Sequence, residues 1–180
     1  MNKTIFRFKF FDMPVSVARS AQIGTLILLI LGTALAIFTT NLTPLDAFIA
    51  GILMTIIHWV SDLFHQYGHF VAAKQTGYRS TGIRLWWILG ATLYPRNEKK
   101  LSHAIHVRRA IGGPIASLII LILFMGLGTA LWNYTALSRL LVAWGIFVNA
   151  VIFVGGALIP LKIGGLTTDG MILWRAWRQS

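Results

Sequence analysis

Cysteine is absent from the 180 residues, and acidic residues are nearly so: Asp12, Asp46, Asp62, Glu98 and Asp169 are the only five. The first absence excludes disulfides, thiolate nucleophiles and cysteine metal sites, so a metal would have to rest on histidine and carboxylate. The second leaves few residues to serve as a carboxylate ligand or a general base. Charged side chains make up only 12% of the chain, about half the share of an ordinary soluble domain. No polar stretch is long enough to fold as a separate soluble regulatory domain, and none is expected.

What is abundant is apolar. Hydrophobic residues are 56% of the chain and mean hydropathy is +0.71, a composition that belongs in a bilayer. A crossing of the ~30 Å hydrocarbon core takes ~20 residues, so the length suits a single membrane-embedded domain over 1–180 with about four crossings. The expected fold is an all-α, polytopic bundle. Its spans are read at 21–39, 45–74, 111–132 and 137–159, after a basic leader over 1–20 and before a loop and interfacial tail over 160–180. A cleaved signal peptide is a rival reading of the first run, where Ala34-Leu35-Ala36 offers small residues at a suitable spacing; the length of the leader argues against it. Between the second and third spans, "TGIRLWWILGATLYP" is too short and too interrupted to cross. Its β-branched and aromatic content predicts a short hairpin or a re-entrant loop. Pro160 and the Gly164-Gly165 pair break the chain before an amphipathic piece, "DGMILWRAWRQS".

The formal charge is +11, but the basic residues lie between apolar runs with no basic and aromatic recognition face, so nucleic acid is not an expected partner. All sixteen Lys and Arg except Arg139 fall in the leader, the segment from Lys74 to Arg109, or the tail after Pro160. By the positive-inside rule both termini and the middle loop are cytoplasmic, and the basic residues face anionic lipid.

Chemistry concentrates in the second span. On a helix at about 100° per residue, His58, Asp62, His65 and His69 fall at roughly 0°, 40°, −20° and 20°, one polar stripe on an apolar rod. Ionisable groups in hydrocarbon face a partner, an ion or a water cavity. His65 and His69 are four apart, the spacing at which two neutral imidazoles of one helix reach the same zinc ion. Asp62 lies one turn before His65 and suits support of an imidazole from behind better than ligation. Asp169 follows the fourth span on the same side of the membrane, so the bundle can bring it to the pair.

These residues resemble a known family. "HQYGHFVAAKQTG" is similar to the "HExGHxxAAxxxG" segment of the site-two proteases, the intramembrane zinc metallopeptidases. "IGGPIASLIILI" resembles their "AGPxAN" helix start, and "ALIPLKIGGLTTDG" their "NxxPxxxxDG" motif. The three segments occur in family order. The resemblance implies zinc held by His65, His69 and Asp169 in a cavity open to the cytoplasm; His58 and Asp62 of the stripe are expected behind the ligands. It implies a transmembrane segment of another membrane protein as substrate, and it makes Trp86-Trp87, otherwise read as part of an aromatic belt at the membrane boundary, an alternative strand edge lining a groove. Two positions depart from the pattern: Ser117 and Ala157 stand where the family has asparagine.

The third departure is Gln66, at the place of the family's general base. Glutamine fills the same space and can hydrogen-bond a water, but it cannot take up a proton. Losing acid/base participation typically costs ~10²- to 10⁴-fold in rate. The expected function is therefore an intramembrane metalloprotease impaired at one residue, or a pseudoprotease that binds zinc and transmembrane helices without cutting. A base supplied by Asp62 or His58, a chain altered at one position to trap substrate, and a histidine-lined haem or metal-transport bundle stay open at this point. His103 and His106, three apart in a basic stretch, are read as interfacial.

Overall fold

The computed structural model describes residues 3–163 and 166–178; the Gly164-Gly165 pair expected to break the chain lies outside them. Helix α1 spans Arg19–Thr39, α2 Pro44–Gln75, α3 His103–Leu131, α4 Ala136–Phe147 and α5 Asp169–Trp177, with a π-helical segment over Val148–Gly156 continuing α4. Four of these helical runs, α4 being counted with its π segment, are long and apolar enough to cross a membrane. The chain is an integral membrane protein built on a helical bundle. Ile30, Leu31, Ile119 and Ile122 are each more than half exposed, which suits lipid as solvent and would be costly in water.

Local sequence explains where the helices begin. Thr43 caps α2, its hydroxyl accepting from the Asp46 amide at 3.2 Å, with Pro44 at the first helical position where no N–H is needed. Thr135 and Ser138 form a reciprocal cap on α4. Thr168 caps α5 and also donates its hydroxyl to the Ile159 carbonyl at 2.6 Å. That second bond ties the start of α5 to the end of the fourth span.

A four-stranded sheet lies beside the later part of α2, in the order β1 (Thr4–Phe10), β2 (Met13–Ala18), β3 (Gly82–Trp86), β4 (Leu89–Leu93). β3 and β4 are the expected hairpin. The first two strands are a finding: the basic leader is itself a hairpin, and its second strand pairs in parallel with β3. Met13, Val15, Ile83 and Leu85 bury against Phe70 of α2, and the Phe10 ring meets Phe64 and Tyr67 edge-on at 5.3 and 5.9 Å. A two-residue ladder, Lys162–Ile163 with Leu166–Thr167, completes the strands among the described residues.

Apolar side chains cannot drive helices together in lipid, so close contact and polar bonds must do it. α2 and α3 cross where Gly68 meets Gly112: a Cβ at Gly68 would stand 2.7 Å from the Ala116 Cβ, and one at Gly112 would stand 2.7 Å from the Ala72 Cβ. α4 and its π segment dock on α2 through Trp144 Nε1, which donates to the Met54 carbonyl at 2.8 Å, and Asn149 Nδ2, which donates to Ser61 Oγ at 2.9 Å.

Candidate metal site

The polar stripe of α2 faces inward. His58, Asp62, His65, Gln66 and His69 are all buried, and the last four line a cavity of about 540 Å³ with Trp86, residues of β4, Phe153 and Asp169. The four-residue spacing of His65 and His69 puts both rings on one face. The Gly68–Gly112 crossing then brings α3 against them, and α5 supplies Asp169 from beyond the fourth span.

The three expected ligand atoms converge. His65 Nε2 and His69 Nε2 are 3.2 Å apart, and Asp169 Oδ2 lies 3.6 Å from the first and 3.3 Å from the second. A tetrahedral zinc with bonds of about 2.0–2.1 Å holds its ligand atoms about 3.3–3.4 Å from one another. Both rings turn their other nitrogen outward to a partner, as metal-bound imidazoles do. His69 Nδ1 is 2.8 Å from the Arg109 carbonyl, and His65 Nδ1 is 2.9 Å from Ser117 Oγ. The Gly113 amide also approaches His69 Nδ1, at 3.3 Å. The shorter contact decides the tautomer: a carbonyl only accepts, so Nδ1 carries the proton and Nε2 keeps its lone pair. That lone pair and the Asp169 carboxylate point at a common centre, a donor set that fits a cation.

Gly113 closes the back of this centre. A Cβ there would stand 2.6 Å from His65 Nε2 and closer still to His69 Nε2, so no side chain fits. Asp169 is half-enclosed: burial acts to raise its carboxyl, but its contacts with His65 and His69 outweigh that and hold it below the ordinary range. It also sits in the first turn of α5, where a negative charge is favoured by the helix dipole.

His58 and Asp62, expected behind the imidazoles, make no hydrogen bond to either ring among the described contacts. The outward nitrogens face α3, where Ser117 and Arg109 meet them. His58 instead has its Nε2 2.7 Å from the Ile88 carbonyl. Asp62 lies against Gly90, where a Cβ would stand 2.7 Å from its Oδ2, and no donor reaches either oxygen with good geometry. Ser117, at a position where the resemblance expects asparagine, holds one of the two rings. Ala157, the other departure, lines the cavity.

Gln66 is held at both ends of its amide. Nε2 donates to the Gly90 carbonyl at 3.0 Å, and Oε1 accepts from Thr92 Oγ1 at 2.8 Å. Since Gly90 O can only accept, the amide orientation follows. Of the two tryptophans expected in a groove, Trp86 lines the cavity and Trp87 does not. Trp87 stands at the hairpin turn with φ 49°, its amide donating to Ser20 Oγ at 3.3 Å. His106 lies at the cavity mouth, and neither it nor His103 joins the ligand group.

Arg109 was hidden in the sequence by its place beside exposed Arg108 at the end of a basic stretch. Its guanidinium is buried, donating to Glu98 at 2.6 and 2.9 Å and stacking 4.3 Å over the Tyr94 ring. That pairing holds the Glu98 carboxyl below its ordinary range, while burial pushes the Tyr94 phenol up to about 12.

No protein-family model matches the sequence, and no curated protein is significantly similar to it. Among solved structures, the site-2 protease from Methanocaldococcus jannaschii superposes with a TM-score of 0.61 at 24% sequence identity, over 97% of this chain and 71% of that one. The likeness is one of fold: this chain shares the architecture of that protein, with four apolar helices and a sheet beside the second.

Proposed function

We propose that the chain is a site-two-type intramembrane metalloprotease whose zinc is held by His65, His69 and Asp169, and whose hydrolytic step is impaired by Gln66. The observation that carries this reading is the convergence of two imidazole nitrogens and one carboxylate oxygen, 3.2 to 3.6 Å apart, in a buried cavity of a fold shared with such a protease. Bound zinc would supply Lewis acidity for activating water and polarising a carbonyl.

The chain's own residues do the rest. Ser117 and the Arg109 carbonyl orient the rings. β4 is an edge strand, and Leu89 and Thr92 of it line the cavity. An unwound, extended stretch of a transmembrane substrate can add to that edge through main-chain hydrogen bonds, with Trp86 as a wall. Gln66 orients polar groups but takes no proton. The basic residues of the leader, middle loop and tail support a cytoplasmic side for both termini and the cavity mouth.

One observation favours a second reading, a pseudoprotease that holds zinc and transmembrane helices without hydrolysis. The Gln66 amide is matched by Gly90 and Thr92, whereas a carboxylate in the same pose would set an oxygen against the Gly90 carbonyl. The discriminating experiment is Gln66→Glu in the full chain, assayed on a single-pass membrane protein in liposomes. The protease reading expects cleavage to rise at least 10²-fold. Zinc retained with no cleavage from the Gln66→Glu chain supports the pseudoprotease, and absence of zinc binding sinks both.

A further inference from the structure

An arginine with 3% of its surface exposed is unusual at the start of a membrane helix. A basic residue that only anchors a helix keeps its head group in water, as exposed Arg108 does. A buried guanidinium is tolerated when paired and hydrogen-bonded, and Arg109 draws its partners from two separate segments. Glu98 takes both terminal nitrogens, at 2.9 and 2.6 Å, and Tyr94 lies under the guanidinium plane; both belong to the stretch from the end of β4 to α3. The Tyr78 carbonyl, just beyond α2, accepts from the same side chain. One residue thereby joins the chain after α2, the connection after β4, and the first turns of α3.

The main chain of Arg109 has a different duty, because its carbonyl is the acceptor for His69 Nδ1–H at 2.8 Å. The residue that holds the imidazole is itself held by the fork to Glu98. We infer that Arg109 is a positioning residue for His69: the buried Arg109–Glu98 pair fixes the first turns of α3 so that the Arg109 carbonyl turns His69 Nε2 toward His65 and Asp169. Its meaning for metal binding rests on the zinc reading above, while the orientation of the ring does not.

The test uses the full chain in nanodiscs, histidine-labelled with ¹⁵N, as wild type, Glu98→Gln, Arg109→Ala, Arg109→Lys and the Glu98→Gln/Arg109→Ala double variant. Two quantities are read: the His69 tautomer of metal-free protein from its imidazole ¹⁵N shifts, and zinc affinity by chelator competition. Wild type is expected to show His69 protonated at Nδ1. Arg109→Ala should mix the tautomers and weaken zinc about 10- to 100-fold, the usual loss when an orienting partner of a metal ligand is disturbed. Arg109→Lys should recover part of the affinity, since an ammonium pairs with Glu98 but lacks the fork. The double variant should be little worse than Arg109→Ala, as coupled residues are not additive. Glu98 lies outside the helices, so Glu98→Gln keeps the test open if Arg109→Ala does not fold. Variants that retain helical content, the wild-type His69 tautomer and wild-type zinc affinity overturn the inference. If no chain binds zinc, the metal reading fails and the tautomer of metal-free protein still decides the positioning role.

Discussion

Gln66 is where chemistry and packing meet at the scale of single residues. The resemblance sets it where a proton acceptor is expected; the structure adds that its amide is matched by a carbonyl and a hydroxyl of β4. The His65 and His69 pair was legible because four-residue spacing fixes two side chains on one helical face. Their orienting partners were not. Ser117 lies 52 positions from His65 and Arg109 40 from His69, and those distances close only because Gly68 and Gly112 let two helices touch. Asp62 shares the stripe, but it leans toward Gly90 of β4 while the outer ring nitrogens face α3. Gly113 is the sharpest test at this scale. Gly113→Ala forces a methyl into the space between the two Nε2 atoms. Overpacking of this kind costs about 1–3 kcal/mol, and the expected outcome is a lowered melting temperature with zinc retention lost. Unchanged zinc content in Gly113→Ala protein would contradict the placement of the centre.

Among the elements, the helices were readable and the sheet only half so. Apolar runs announce spans through composition alone; the caps at Thr43 and Thr135 that start two of them are seen in the structure. The β3–β4 hairpin announced itself by β-branched and aromatic residues. The leader alternates Phe6, Phe8 and Phe10 with Arg7 and Lys9, a strand pattern overshadowed by its use as a charge signal. Its parallel pairing with β3 was beyond reach, since Val15 meets Ile83 only after α1 and α2 have carried the chain away and back. The connection from β4 to α3 carries a prediction of its own. Arg109 holds the Glu98 carboxyl below its ordinary value of 4.5, so folding gains stability from ionised Glu98. That gain is complete above the unfolded value and disappears as pH falls through the lower folded value. Thermal unfolding in detergent followed from pH 7 toward pH 3 should show wild type losing its advantage over Glu98→Gln across that acid window. Parallel curves for the two chains would mean the pair contributes nothing.

Across the whole molecule, the site depends on the two ends of the sequence order meeting. His65 and His69 come from the second span, and Asp169 arrives through α5, whose start Thr168 fastens to the Ile159 carbonyl. The π-helical turn before Asp169 and the capped entry to α5 that aim it were not legible in the sequence, because they depend on packing against α2 and α3. The bundle therefore stands or falls as a metal-binding protein on three residues from two distant segments. Zinc stoichiometry of the purified full chain, measured beside His69→Ala and Asp169→Ala with helical content checked in each, tests this most directly. The account predicts about one zinc per wild-type chain and little in either variant. A wild-type chain that carries no zinc, or variants that carry as much as wild type, would contradict it.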